Sequence, residues 1–147
     1  MEKTLVIIKP DSVCKKVTGD IIKAFDRQDL KLSAMKMVRP SKQDIERFYS
    51  VHKEQSFFKP LVDFMACGPI VVCVWQSENA VLRVREFIGS TDSKTAKAGT
   101  IRNLFGTNNR KNAVHASDSV ENAEKEIAFF FKPEEILEYD YNAWIDK

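Results

Sequence analysis

The sequence predicts an α/β protein in which short apolar strands alternate with amphipathic helices. Apolar runs of strand length stand at Leu5 to Ile8, at 30–38 and at Ile70 to Trp75, and the segments between them repeat their apolar residues at helical spacing. The 147 residues, of which 44% are hydrophobic and 30% are charged, are typical of one globular domain. We therefore expect residues 1–147 to form a single domain with its own hydrophobic core.

The first apolar run, Leu5 to Ile8, predicts a buried strand that ends at the turn Lys9-Pro10-Asp11. Lys9 lies at the carboxyl end of this strand, and two interpretations of it stay open. It is either a solvated charge or a ligand contact, because open α/β sheets bind ligands beyond the ends of their strands.

Residues 18–49 predict a helix, a strand and a second helix. Apolar residues at helical spacing follow Thr18, and residues 30–38 then alternate apolar and polar side chains, with the buried face changing part-way. Pro40 ends this strand, and Ser41 can cap the next helix. The apolar residues of that helix are Ile45, Phe48 and Tyr49.

A further helix follows a polar joint at residues 52–56. Its apolar residues fall at positions i, i+3, i+4 and i+7, so they form one core-facing stripe. They are Phe58, Leu61, Val62 and Met65. Phe57 lies off this stripe, and it is either the edge of the core or an exposed aromatic ring on which a nucleobase can stack.

Ile70 to Trp75 is the most apolar run in the chain, which predicts a central strand. Gly68-Pro69 ends the helix before it. Residues 77–88 then predict a helix that stops at Gly89. Arg85 projects from the side of that helix away from its apolar residues, where a solvated surface charge is the usual role of an arginine.

Residues 89–112 form the least regular stretch of the sequence. A compact domain seldom keeps so long a loop unless it binds a ligand or is disordered. Five basic residues stand here against Asp92 alone, and Thr91, Thr100 and Asn112 add hydroxyl and amide groups. The basic residues are Lys94, Lys97, Arg102, Arg110 and Lys111. The stretch predicts either a loop that wraps a polyphosphate or a flexible surface loop.

His115, one of two histidines in the chain, ends a short apolar run that begins at Ala113. A helix start signal follows at once, because Asp118 and Glu121 have the spacing of a capping box. His115 therefore lies between a strand and a helix, where free backbone N–H groups and the helix dipole favour a negative charge. This setting suits phosphate chemistry; the alternative is a polar residue at a strand end without a chemical role.

Charge, glycine and cysteine content argue against several kinds of site. The formal net charge of +2 gives no global reason for nucleic-acid or membrane binding, and no apolar run reaches the ~20 residues that span a bilayer. The five glycines form neither a P-loop nor a GxGxxG motif, so any bound phosphate is held by side chains. Three cysteines without CxxC spacing predict reduced thiols and no structural zinc site. We expect a soluble, cytoplasmic protein.

Three segments together resemble the nucleoside diphosphate kinase family: residues 4–11 (TLVIIKPD), 99–102 (GTIR) and 112–119 (NAVHASDS). They occur in the family's order and spacing, and the likeness runs over residues 4–144. Two further matched pairs between them are Phe57-Phe58 and Gly68-Pro69. The resemblance implies a ferredoxin-like α/β sandwich, with a four-stranded antiparallel sheet and helices packed on it. It also implies a homo-oligomer, with a hexamer favoured over a tetramer.

The resemblance further implies that the protein transfers the γ-phosphoryl group of a nucleoside triphosphate, mainly ATP, to nucleoside diphosphates. The implied mechanism is ping-pong through a phosphohistidine at His115, and it maintains the pools of nucleoside and deoxynucleoside triphosphates. Phe57 resembles an aromatic residue that stacks on the base without reading its edges, which implies broad base specificity. Mg²⁺ is the implied cofactor, held mainly by substrate phosphates and water without a protein metal site.

Matched positions give the remaining site residues. Glu126 is implied to orient the histidine, and guanidinium groups are implied to stabilise the charge of a loose transition state. Lys9 and Asn112 are implied to contact the ribose hydroxyls close to the transferred group. The implied catalytic residues are His115, Glu126, Ser117, Lys9 and Tyr49. The implied nucleotide-binding residues are Lys9, Phe57, Arg85, Thr91, Arg102 and Asn112.

Some positions depart from the commoner family pattern, and we expect them to affect rate and stability more than activity. Ala116 stands in place of a glycine, Ser12 in place of glycine or alanine, Gln55 in place of a basic residue, and Asp92-Ser93 in place of Asn-Pro. His52 is a candidate to compensate for Gln55. Two rival hypotheses are a nucleotide- or nucleic-acid-binding regulator that has lost turnover, and a scaffold whose assembly matters more than its site.

Overall fold

Residues 1–144, which this computed structural model describes, fold around an antiparallel sheet. Its strands are β1 (Glu2–Ile8), β2 (Lys31–Val38), β3 (Ile70–Ser77) and β4 (Val114–Ala116), and their order across the sheet is β2-β3-β1-β4. Every pairing between neighbouring strands is antiparallel. The predicted ferredoxin-like α/β sandwich is confirmed, and all eight residues of β3 are buried, as expected of a central strand.

Helices connect the strands and cover the sheet. They are α1 (Pro10–Cys14), α2 (Thr18–Asp26), α3 (Lys42–Phe48), α4 (Phe58–Met65), α5 (Ala80–Ile88), α6 (Ile101–Phe105) and α7 (Val120–Phe130). Short 3₁₀ turns occur at Ser50–His52, Pro133–Glu135 and Tyr141–Ala143. Within residues 1–144, none of these helices has the length and apolar character that crossing a membrane requires.

The apolar residues of β1 explain why both faces of the sheet are covered. Successive side chains of a strand point to opposite faces, so Val6 and Ile8 enter one core cluster while Leu5 and Ile7 enter another. Helices α2 and α5 pack on the first face, where Trp75 stacks on Phe25 at 5.4 Å between ring centroids. Helices α3, α4 and α7 supply buried residues to the second face. The middle residue of β4 pairs with Ile7, so its side chain points to this second face as well.

An irregularity in β2 confirms the predicted change of its buried face. The register of β2 against β3 shifts between Leu32 and Ala34, which leaves Ser33 as the extra residue of a bulge. The chain after α7 returns to this bulge, because the Leu137 amide donates to the Ser33 carbonyl oxygen at 2.9 Å. Tyr139 of the same tail donates through its hydroxyl to the carbonyl oxygen of Leu32. Tyr139 therefore packs against β2 of its own chain; residues 145–147 lie outside the described part.

Four local predictions were wrong. The turn at Pro10 continues into α1, because proline suits the first position of a helix, where its missing N–H is not needed. Helix α5 begins at Ala80 rather than at residue 77, since β3 runs to Ser77. The irregular stretch 89–112 contains the short helix α6. Ser119, not Asp118, caps α7 by accepting the Asn122 amide, so Asp118 and Glu121 do not form a capping box.

Candidate active site

A cavity of about 610 Å³ opens where β4 and the loop before it meet helices α3, α4 and α7. All of the site residues assigned from the sequence line this cavity except Ser117, which is fully buried behind it. The lining ones are Lys9, Tyr49, Phe57, Arg85, Thr91, Arg102, Asn112, His115 and Glu126. Residues from distant parts of the chain therefore meet in one place.

His115 and Glu126 form a close side-chain pair in this cavity. His115 is the middle residue of β4 and pairs with Ile7, while Glu126 lies on α7, which turns back beside that strand. The Nε2 atom of His115 lies 2.6 Å from Oε1 of Glu126, and Ser117 donates through Oγ to the same oxygen at 3.0 Å. A carboxylate at Nε2 fixes the proton of a neutral imidazole on that nitrogen, which leaves the lone pair on Nδ1.

Two aromatic rings hold the imidazole from the side of α3. The ring of Phe48 lies 5.4 Å from the His115 ring at 75°, and that of Tyr49 lies 5.7 Å away at 88°, so both meet it edge to face. Burial, with a contribution from Glu126, raises the pKa of the Tyr49 phenol well above its ordinary value. The phenol therefore stays protonated and can only donate or accept a neutral hydrogen bond.

Lys9 reaches the cavity from the end of β1 and is bound to the loop that precedes β4. Its Nζ donates to Oδ1 of Asn112 at 2.9 Å and to the carbonyl oxygen of Arg110 at 2.8 Å. Burial lowers the pKa of the Lys9 ammonium to about 8; Asp11 opposes the shift, and Arg102 and Arg110 add to it. A cation with this pKa changes charge near physiological pH.

The guanidinium groups of Arg85 and Arg102 both donate to backbone carbonyl oxygens of β4. Arg102 donates to the carbonyl oxygens of Gly89 at 3.1 Å and Val114 at 2.9 Å, and its buried Nε has no hydrogen-bond partner among residues 1–144. Arg85 donates to the carbonyl oxygen of Ala116 at 3.3 Å. Burial, followed by the charge of Arg85, lowers the pKa of Arg102 to about 10, so the Arg102 guanidinium remains cationic at neutral pH. Together the two guanidinium groups make this part of the cavity suited to an anion.

Phe57 lies at the mouth of the cavity, immediately before α4. Its side chain is 44% exposed, and the ring of His52 lies 5.5 Å from it at an interplanar angle of 56°. His52 lines the cavity, whereas Gln55 does not. An exposed ring at the rim of a polar cavity offers a planar ligand a face on which to stack.

Two of the positions that depart from the family pattern, Ala116 and Ser93, lie in β4 and in the loop after α5, respectively. Ala116 does not have a positive φ, so it needs no backbone adjustment in β4. Ser93 is buried, and its hydroxyl has no partner among the described residues. A Cβ atom on Gly106 would lie 1.9 Å from that hydroxyl oxygen, which means that the loop packs closely at this point.

Several cavity residues had not been assigned to a site from the sequence. Phe48 is the clearest, since an apolar residue on an amphipathic helix has the same pattern whether it packs in the core or against a reactive ring. Asp118 and Asn122 also line the cavity, and Asn122 donates through Nδ2 to Oδ1 of Asp118 at 2.6 Å. The position of Asp118, three residues after His115, was the available signal.

Known proteins resemble this chain over most of its length. The family model for nucleoside diphosphate kinase matches residues 2–136. A nucleoside diphosphate kinase of a Nitratiruptor species is 56% identical over 137 residues, covering 93% of this chain and 100% of the relative. A nucleoside diphosphate kinase of Campylobacter jejuni subsp. jejuni serotype O:23/36 is 57% identical over 136 residues, covering 92% and 99%.

Solved structures are similar over the same length. The nucleoside diphosphate kinase of Aquifex aeolicus superposes with a TM-score of 0.91 at 45% identity, covering 92% of this chain and 99% of that one. The enzyme from Halobacterium salinarum, in complex with CDP, superposes with a TM-score of 0.92 at 35% identity, covering 97% and 95%. The chain therefore belongs to the nucleoside diphosphate kinase family and is a phosphotransferase with the activity for which that family is named.

Proposed function

We propose that the whole chain acts as one cytoplasmic catalytic domain that moves the γ-phosphoryl group of ATP to nucleoside diphosphates through a phosphohistidine at His115. The observation that carries the proposal is the contact between Nε2 of His115 and the Glu126 carboxylate, which leaves Nδ1 free beside a cationic cavity. Repeated transfer of this kind equilibrates the nucleoside and deoxynucleoside triphosphate pools.

In the first half of the proposed reaction, Nδ1 of His115 attacks the γ-phosphorus. A P–N bond forms, the bond to the oxygen bridging the β- and γ-phosphates breaks, and its electron pair leaves with the nucleoside diphosphate. The proton on Nε2 stays in place, and the carboxylate of Glu126 stabilises the positive ring that forms. In the second half, a terminal oxygen of the acceptor diphosphate attacks the phosphorus, the P–N bond breaks and the ring becomes neutral again.

The remaining lining residues supply binding and charge stabilisation in this proposal. Arg85, Arg102 and Thr91, which line the cavity, bind the phosphates. Lys9 and Asn112 contact the ribose hydroxyls next to the transferred group. Tyr49 fixes the imidazole by its edge-to-face contact. Guanidinium groups bound to phosphate oxygens stabilise a loose phosphoryl transition state, because their positive charge lies next to the oxygens that carry the negative charge.

Stacking on Phe57 makes the proposed site tolerant of different bases. A ring-to-base contact reads no hydrogen-bonding edge, so purines and pyrimidines both bind. The Halobacterium salinarum relative binds CDP in its solved structure. We therefore expect this chain to accept nucleoside diphosphates of any base.

Mg²⁺ fits the site as a companion of the substrate. The described residues contain no group of three or more histidines, cysteines or acidic side chains that could hold a metal ion. Of the two lining carboxylates, Glu126 is bound by His115 and Ser117, whereas Asp118 is exposed at the cavity and can bind a hydrated ion through water. When bound, Mg²⁺ neutralises phosphate oxygens and orients the chain of phosphates.

The proposal includes a homo-oligomer, and a hexamer in preference to a tetramer. Strand β2 is an edge of the sheet, and it exposes the side chains of Met35 (49%) and Met37 (61%). Leu137 and Trp144 in the adjoining tail are also more than half exposed. Clustered apolar residues on an open strand edge favour association with another chain. Sedimentation equilibrium should give six times the mass of the chain.

The test of the proposed function is to incubate the purified protein with γ-labelled ATP and Mg²⁺ in the absence of an acceptor. We expect label on the protein that is lost in acid and retained in alkali, as for a phosphoimidazole. Diphosphates of each base should then remove it within one turnover. Nucleotide binding without label, across several triphosphates, would instead support the regulator that has lost turnover.

Substitution of Glu126 by Gln should lower kcat by about 10²-fold, because the amide keeps a hydrogen-bond acceptor but removes the charge that stabilises the positive ring. KM should change little, since Glu126 makes no proposed contact with the nucleotide. Glu124→Gln, on the exposed side of the same helix, is the matched control and should keep the wild-type rate. Equal kcat values for the two variants would contradict the role of Glu126.

A further inference from the structure

The backbone two residues before His115 adopts a conformation that L-residues rarely take. Ala113 has a φ of 74°, and the Val114 amide donates to the carbonyl oxygen of Asn112 at 2.9 Å, which closes a γ-turn centred on Ala113. Lys16 and Asn79 also have positive φ among the described residues, but both are exposed, whereas Ala113 is fully buried. Such a conformation persists only where the surrounding structure holds it, and it is commonest at functional sites.

The junction between β1 and α1 supplies the groups that hold this turn. Ala113 accepts at its carbonyl oxygen from the Lys9 amide at 2.9 Å and from Oγ of Ser12 at 3.1 Å. Its own amide donates to Oδ2 of Asp11 at 3.0 Å. The carbonyl oxygen thus has two donors, but the buried amide has Asp11 as its acceptor, so loss of that carboxylate leaves a buried N–H unpaired.

Asp11 has a simpler interpretation as an acidic residue in the first turn of α1. That helix has five residues, and Asp11 does not point its carboxylate to solvent: it is buried, and it binds a residue 102 positions away in the sequence. Neither Asp11 nor Ala113 lines the cavity. Asp11 can therefore act on the reaction through the turn, or through its negative charge, which raises the pKa of Lys9. Asp11→Asn removes the charge but keeps an acceptor for the Ala113 amide, so this variant separates the two routes.

The turn joins two residues of the proposed mechanism. Asn112, which precedes Ala113, binds Lys9 through Oδ1 and the Thr91 carbonyl oxygen through Nδ2. Val114, which follows it, leads directly to His115 and accepts from Arg102. The φ of Ala113 sets the relative direction of these two parts of the chain, because the peptide planes on either side of it are rigid.

We propose that Asp11 is a positioning residue for phosphoryl transfer: its carboxylate holds the γ-turn at Ala113 and thereby sets His115 against Asn112 and Lys9. This inference rests on the function proposed above. It assigns to the aspartate of the segment KPD a role in the geometry of the nucleophile rather than contact with substrate.

The experiment compares Asp11→Ala, Asp11→Asn, Ala113→Gly and the double variant Asp11→Ala/Ala113→Gly. Each is assayed for the rate at which His115 takes label from γ-labelled ATP, at a temperature where all are folded by circular dichroism. Asp11→Ala should slow labelling by about 10- to 100-fold, the scale of loss caused by a small misplacement of reacting groups. Asp11→Asn should stay much closer to wild type, because its amide oxygen can still accept from Ala113.

Substitution of Ala113 by glycine tests whether a less strained turn recovers the labelling rate that Asp11→Ala loses. Ala113→Gly alone should label at nearly the wild-type rate, because glycine adopts positive φ without a steric penalty. In the double variant it should restore labelling several-fold over Asp11→Ala. Ile21→Val removes a fully buried methyl group on the other face of the sheet. It is the control for a variant that is less stable but keeps His115 in place, and it should take label at the wild-type rate.

Two results would overturn the inference: Asp11→Ala labelling as fast as Ile21→Val, or no recovery in the double variant. Amide hydrogen exchange at residue 113 gives a readout that does not need activity, and it should be faster in Asp11→Ala than in Ile21→Val. A wild-type chain that takes no label would overturn the proposed function and the role of Asp11 in transfer, whereas faster exchange would still show that Asp11 holds the turn.

Discussion

His115→Ala should lower turnover by at least about 10⁴-fold while the protein remains folded and still binds nucleotide. The methyl group has no lone pair with which to attack phosphorus. The two nucleotides of a ping-pong reaction use one cavity in turn, so direct transfer between them would require both to enter a space of about 610 Å³ together. Phe57, Arg85 and Arg102 remain in the variant, and they should keep the dissociation constant for ADP within a few-fold of the wild-type value.

The matched control for this change is His52→Ala, because the chain has two histidines and both line the cavity. Turnover is measured with ATP as donor and GDP as acceptor, and ADP binding is measured by titration calorimetry. His52→Ala should keep most of the wild-type kcat. A His115→Ala variant that retained even a few per cent of kcat would contradict a covalent mechanism at this residue.

The sequence was most informative where long elements carry a strong pattern. The continuous apolar runs of β1 and β3 predicted strands buried on both faces, since each run has no polar side that could face water. The apolar stripe of α4 and the cap residue Ser41 also predicted their helices, and in the structure Ser41 accepts the Asp44 amide in a capping box. The order of strands in space depends on long-range pairing, and the expected four-stranded antiparallel sheet came from the family resemblance alone.

Short elements were missed because they carry too little pattern. Helices α1 and α6 have five residues each, about one turn and a half, so an apolar period cannot be seen in them. The cap of α7 was misplaced because Asp118 and Ser119 are both good capping residues, and only the backbone geometry selects Ser119. Such choices are settled by tertiary contacts that lie far away in sequence.

The cavity brings together nearly all residues that the resemblance indicated, but not the groups that support them. The bond from Ala113 to Asp11 spans 102 residues, and no local signal marks either partner. Alanine rarely adopts a positive φ, whereas glycine and asparagine do so more often, so the residue type at position 113 does not indicate this conformation. Supporting residues of this kind become visible only when the backbone conformation is known.

Lys9→Met should lower kcat/KM by about 10²- to 10³-fold, the effect of removing a fixed cation from a developing phosphoryl charge. Methionine has nearly the length of lysine and can fill the same space beside Phe64, whose ring lies 5.5 Å from Nζ. The fold should therefore survive the change. Lys59→Met, which removes one exposed positive charge from α4, is the control for net charge and should leave kcat/KM nearly unchanged.

The pH dependence of kcat/KM in the wild-type enzyme shows whether the charge of Lys9, rather than the shape of its side chain, is needed for the reaction. Burial lowers the pKa of the free enzyme's Lys9 to about 8, so the ammonium is charged below that pH and neutral above it. Because kcat/KM reports groups of the free enzyme, it should fall tenfold per pH unit above about pH 8, and Lys9→Met should lack this limb. A wild-type kcat/KM that stays constant between about pH 7 and pH 9.5 would contradict the role of the charge.

The titration of Lys9 cannot lower kcat/KM by unfolding the protein, because it makes the folded state more stable as the pH rises. The unfolded chain holds the Lys9 proton up to its ordinary pKa of 10.5, whereas the folded chain releases it near 8. Between these values the unfolded state binds more protons, so Lys9 makes the free energy of unfolding rise with pH while kcat/KM falls. A melting temperature that holds or increases from about pH 8 to pH 9.5, while activity decreases, would therefore assign the limb to the charge at the site.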